Sequence, residues 1–75
     1  MKFIEMTGNT LAAIVNDVEL TPEGLQASGV TDKSIVRINE HGDIEVRHSN
    51  KWSVIGGLLG DYENRIKNRT GMDWV

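Results

Sequence analysis

Cysteine is absent from this chain of 75 residues. That removes disulfide staples, thiol nucleophiles and thiolate metal centres from consideration. A chain this short without staples forms one small core, rarely worth more than about 3–5 kcal/mol. A single domain over residues 1–75 is therefore expected, and self-association as a homodimer or as a subunit of something larger is one way to bury more surface. Long apolar runs are also missing. No stretch approaches the ~20 residues that span a bilayer, and Lys2 is followed by Glu5 rather than by a signal-like apolar region, so a cytoplasmic, bacterial- or phage-type protein without membrane contact is expected. A basic excess is missing too. The net charge is −3. Residues 1–31 set Lys2 against Glu5, Asp17, Glu19 and Glu23, while the basic and acidic side chains of residues 32–75 balance. Phosphate backbones reward one sign of charge, so nucleic acid is not the expected partner.

What the chain does have is a pair of turn signals between residues 34 and 55. With Glu40-His41-Gly42 as a three-residue loop, Ile38 pairs with Ile44, Val36 with Val46, and Arg37 with Glu45. Gly42 supplies the left-handed residue that such a loop requires. Treating His48-Ser49-Asn50 in the same way, with Asn50 left-handed, pairs Val46 with Trp52 and Ile44 with Val54. The result is a three-stranded antiparallel meander over about 34–39, 43–47 and 51–55. Val36, Ile38, Ile44, Val46, Trp52 and Val54 then face inward, and Arg37, Asp43, Glu45, Arg47, Lys51 and Ser53 face outward, with Ile35 and Ile55 as apolar points among the outer charges.

Beyond Gly56-Gly57, Leu58, Leu59, Tyr62 and Ile66 recur at helical spacing, which predicts a C-terminal helix over about 58–70 that covers the sheet. Asp61–Arg65 and Glu63–Lys67 support it, and Gly71 stops it. At the other end, residues 1–6 read as a further strand. Leu11, Ile14, Val15 and Val18 form a helical stripe over about 10–17, with a strand as the rival reading. Thr21-Pro22-Glu23 starts a short helix over about 22–28. The expected class is α+β, in the order β-α-α-β-β-β-α.

No chemistry-bearing constellation emerges. Carboxylate pairs, triads and nucleophile motifs lack a supporting context, so a non-enzymatic protein without cofactor or metal is expected. His41 and His48 fall at opposite ends of the meander and cannot share a metal. Gly56-Gly57-Leu58-Leu59-Gly60 is a strand-to-helix turn of the kind that offers N–H groups to an anion, although Asp61 and Glu63 follow it directly. Two short helices joined at 17–21 have the outline of a helix-turn-helix, yet the candidate recognition helix carries Glu23 and Gln26 and no Lys or Arg.

Leu20-Thr21-Pro22-Glu23-Gly24-Leu25, Gly29-Val30, Ser34-Ile35-Val36 and Gly42-Asp43-Ile44-Glu45-Val46 together resemble the swapped-hairpin AbrB/MazE regulators and antitoxins, over about a third of the chain. The resemblance implies a DNA-binding alternative. Those domains surround the short helix with basic residues, whereas here that region is acidic. The leading expectation is a small interaction or regulatory module that meets a protein partner through Trp74, Val75, Arg37, Arg47, Ile35 and Ile55. Trp74 is either an exposed anchor near the chain end or a side chain that folds back with Met72 onto the core.

Overall fold

The computed structural model describes residues 1–74. Its elements run β1 (Phe3–Thr7), α1 (Gly8–Ile14), α2 (Pro22–Ala27), β2 (Ile35–Asn39), β3 (Asp43–His48), β4 (Lys51–Gly57) and α3 (Tyr62–Thr70). The fold is α+β, with an antiparallel four-stranded sheet in the order β1-β2-β3-β4. Alternation decides which residues go inside. Ile4 and Met6 of β1, Val36 and Ile38 of β2, and Ile44 and Val46 of β3 are buried on one face, against Leu11, Ile14, Leu25, Leu58 and Ile66 from the helices and the connection before α3.

The β2–β3 hairpin has the expected register, with Val36 opposite Val46, Arg37 opposite Glu45 and Ile38 opposite Ile44. Gly42 is left-handed at φ 87°, and Asn39 closes the turn by accepting the His41 and Asp43 N–H groups on its side-chain oxygen. The β3–β4 pairing differs from expectation. Ser49 and Asn50 both take positive φ, 49° and 69°, so the loop has two residues rather than three. Such a turn matches the twist of its flanking strands, which compensates for a serine in left-handed backbone. Arg47 then pairs with Trp52, Val46 with Ser53 and Glu45 with Val54, turning Trp52 and Val54 to the outer face. A bulge between Ile44 and Glu45 restores the phase, so that Gly56 lies opposite Ile44. Ile55 occupies the bulge and packs against the core, a correction to its expected place among the outer charges.

The helices are shorter than their apolar stripes suggest. Residues 8–14 form a helix, so the strand alternative for this segment falls away. Thr7 caps α1 by accepting the Thr10 N–H at 3.3 Å. The helix stops at Ile14 because Asn16 forms a local turn, its Oδ1 taking the Val18 and Glu19 N–H groups. Val18, expected on the buried stripe, is 84 % exposed as a result. α2 starts as its sequence signals indicate, with Thr21 accepting from Gly24 N–H at 3.0 Å and Pro22 in the first turn. α3 begins at Tyr62 rather than at 58. Leu58 N–H is committed to the Gly42 carbonyl at 2.8 Å, which extends the sheet past β4, and Gly60 turns left-handed. Gly71 ends α3 at φ 73°, its N–H on the Lys67 carbonyl.

At the start of α1, Gly8 is wedged against the segment before β2, and its N–H reaches the Ser34 carbonyl at 2.8 Å. A Cβ at this position would sit 1.9 Å from the Thr31 carbonyl oxygen and 2.8 Å from Val30 Cγ1. Helix propensity alone favours alanine over glycine here by about 1 kcal/mol. The clash outweighs that preference, because a backbone atom cannot swing aside as a side chain can. Gly8→Ala is expected to destabilise the protein by roughly 2–3 kcal/mol, as overpacked sites do. A chemical denaturation midpoint equal to or above wild type would mean that the segment 30–34 yields freely.

Candidate functional site

The three helices cover one face of the sheet and leave the other open. On the open face the strands carry Phe3 and Glu5 from β1, Ile35 and Arg37 from β2, Asp43, Glu45 and Arg47 from β3, and Trp52 and Val54 from β4. Arg37 is the centre of the group. Its guanidinium carbon lies 3.8 Å from the Phe3 ring centroid and 4.1 Å from that of Trp52, a cation held against two π-faces. The same guanidinium donates to Glu45 at 3.0 Å, a pair whose side chains are 22 % and 12 % exposed. Its Nε is buried without a hydrogen-bond partner among the described residues, a desolvation cost that the two rings and the carboxylate offset. Around this centre Ile35 and Val54 remain 42 % and 68 % exposed. Phe3 keeps 37 % of its surface in solvent. The face combines oriented aromatic rings, apolar points and charges of both signs.

Of the residues singled out from the sequence, Arg37, Arg47 and Ile35 lie on this face as expected, with Arg47 bonded to Asn50 Oδ1 at 3.0 Å. Ile55 does not, for the reason given by the bulge. Trp74 folds back. Its Nε1 donates to the Ile38 carbonyl at 3.0 Å and its ring meets Tyr62 edge-on at 6.0 Å, so it packs against the core while Met72 stays 41 % exposed. Val75 lies outside the described residues. Phe3, Trp52 and Val54 join Arg37, Arg47 and Ile35 on this face, beyond those expected from the sequence. Trp52 and Val54 carried a usable signal, since Ser49-Asn50 suits a two-residue turn and that turn sends both side chains outward.

Away from the sheet, Glu19 and Arg65 form the most densely bonded group. Arg65 donates to both Glu19 oxygens at 2.8 and 2.6 Å and to the Ile14 and Leu59 carbonyls, each at 2.8 Å. Glu19 also accepts the Asn16 and Leu59 N–H groups at 3.1 and 2.6 Å, and its side chain is 1 % exposed. The hydrogen bonds from Arg65, outweighing the opposing effect of burial, hold the Glu19 carboxyl down to about 2 from its usual 4.5, with the two backbone N–H groups adding to the effect. Such a carboxylate stays charged near neutral pH and cannot exchange protons there. The glycine-rich turn does offer an N–H to an anion, and the anion is this internal carboxylate. The cleft beside the pair, of about 380 Å³, is open and is lined by the exposed Val18 and Leu59.

The remaining sequence signals are dispersed. His41 sits in the β2–β3 turn and His48 at the far end of β3, where its Nε2 lies 3.2 Å from the Ser28 carbonyl oxygen. Among the described residues no group of three His, Asp or Glu side chains is arranged to hold a metal. Likewise no helix among them is long and apolar enough to cross a membrane. The β2–β3 hairpin is flanked on both sides by strands of the same chain, and α2 exposes Glu23 and Gln26. Searches with this chain against protein-family models, curated proteins and solved structures found no match.

Proposed function

We propose that this protein is a small, non-catalytic, cytoplasmic interaction module that docks a protein partner on the open face of its sheet. The observation that carries the reading is the Phe3–Arg37–Trp52 stack, an aromatic and cationic centre on a face that no helix among the described residues covers. Aromatic and arginine side chains dominate the energetics of protein interfaces, and immobilising them beforehand lowers the entropy lost on docking. A phosphate backbone fits less well, because Glu5, Asp43 and Glu45 stand among Arg37 and Arg47 and would repel it.

Val54→Lys tests the reading with little risk to the fold, since Val54 is 68 % exposed at the sheet edge. Surface changes of this kind usually alter stability by less than ~0.5 kcal/mol. The expected result is an unchanged melting curve together with at least about tenfold weaker binding of a partner captured from the native host, as for loss of an interfacial apolar contact. Undiminished capture by Val54→Lys and by Trp52→Ala would overturn it.

A further inference from the structure

The open face is complementary to itself in one particular orientation, and we infer that its occupant is a second copy of this chain, stacked face to face about a two-fold axis that runs along the strands between β2 and β3. The inference rests on the open face being a docking surface and specifies what docks there. Cross-strand pairing places Glu5, Arg37, Glu45 and Val54 in a single row across the four strands. Rotation about an axis along the strands exchanges β1 with β4 and β2 with β3 while keeping each row. Arg37 of one copy then faces Glu45 of the other, and Glu45 faces Arg37.

The two intrachain ion pairs become a ring of four alternating charges, which lets each desolvated group gain a second opposite neighbour. The shapes match in the same orientation. Phe3 and Gly57 lie on the outer strands in one end row, so Phe3 of one copy, whose ring leans inward onto Arg37, faces a position with no side chain to meet it on the other. Trp52 and Thr7 are similarly placed in the opposite end row, with the Trp52 ring likewise turned inward onto Arg37 and a small side chain facing its strand position. The alternative axis, across the strands, would set Arg37 on Arg37 and Glu45 on Glu45. It is excluded by like-charge repulsion. Aligned sheets pack with their strands offset by about 30°, and the charge ring adjoins the axis, where that offset displaces groups least.

The size of the face sets the strength of the association. Four strands ~4.8 Å apart and about five residues long at ~3.3 Å each give a footprint of roughly 300 Å² in projection. Standard specific interfaces bury about 800 Å² of accessible surface per partner, so this dimer is weak and reversible, with dissociation in the micromolar range or above. The molecule measures 28 × 26 × 18 Å.

Sedimentation velocity over about 10 µM to 1 mM tests the pairing, with circular dichroism to confirm that each variant is folded. Wild type is expected to move from monomer to dimer across that range. Arg37→Glu and Glu45→Arg are each expected to remain monomeric, because each places like charges opposite one another twice. Mixing the two variants is expected to restore a heterodimer, since every facing pair then becomes opposite in sign. Should either charge variant fail to fold, Val54→Glu, which faces Glu5 of the second copy, is expected to weaken the dimer at least about tenfold.

A wild type that is monomeric at 1 mM overturns the inference, as does a dimer that survives Val54→Glu or a mixture of charge variants that stays monomeric. A monomeric wild type whose capture of a host protein is lost in Val54→Lys overturns self-pairing while the interaction reading stands. A monomer with undiminished capture overturns both.

Discussion

Glu19→Gln is expected to cost about 3 kcal/mol, close to the whole stability that a core of this size supplies. Removing one member of a buried ion pair generally costs about 3–5 kcal/mol, and Arg65, with a quarter of its side chain in solvent, places this pair at the lower end. Glutamine keeps the shape and one acceptor but turns an N–H₂ toward groups that are themselves donors, the Arg65 guanidinium and the Leu59 N–H. Urea denaturation at pH 7 measures the loss, and a value below about 1 kcal/mol would mean that the pair does not hold the connections together. The pH dependence follows from the same site. A carboxyl at about 2 in the folded protein and near 4.5 when unfolded contributes fully above pH 4.5 and progressively less as pH falls toward 2. Wild type is expected to lose stability through that window, with a flatter profile for Glu19→Gln.

The second large effect is expected at Ile66, which is fully buried in the middle of α3 and is the residue of that helix enclosed by the core. Truncation to alanine removes the transfer energy of its side chain and leaves a cavity between helix and sheet, for a loss of about 2–5 kcal/mol. At the upper end the variant would be unfolded at room temperature. Thermal unfolding followed by circular dichroism distinguishes the cases, and a change under about 0.5 kcal/mol would place Ile66 on a face that needs no cover.

The class, the element order and the β2–β3 register were legible because they rest on short-range rules. Gly42 at the loop end, Thr21-Pro22 at a helix start and Gly71 at a helix stop each restrict backbone angles through their own chemistry. Places where two local solutions compete were less legible. Ser49-Asn50 suits either a two- or a three-residue loop, and the two-residue solution needs a bulge at Ile55, which no short-range rule announces, to bring β4 back into phase with the core. The apolar stripes ran past the true helix ends because Asn16 and Leu58 direct backbone groups to partners that the stripe does not reveal. The Glu19–Arg65 pair was illegible for a different reason, since nothing local links two charges 46 positions apart. The open face was partly legible. Alternation places Arg37, Arg47 and Ile35 on it, but not the rings that hold Arg37, one of them because a three-residue loop at 48–50 turns Trp52 inward.

The reach of Arg65 to the Ile14 carbonyl, across 51 positions of chain, also bears on how the protein is made. β1 waits for β2 to arrive some thirty residues later, and the latch at Glu19 waits until α3 exists. A ribosome-bound chain lacking α3 has strands and turns available but no Arg65 to neutralise Glu19 and no Ile66 to seal the sheet, so the arrival of α3 converts a set of partial structures into a stable whole. Contacts spread this widely in sequence slow the search for the native state relative to a helical bundle of equal length. Translation-arrest fusions of increasing length should accordingly register folding force in one late step, after α3 has cleared the exit tunnel, rather than in stages as each strand emerges.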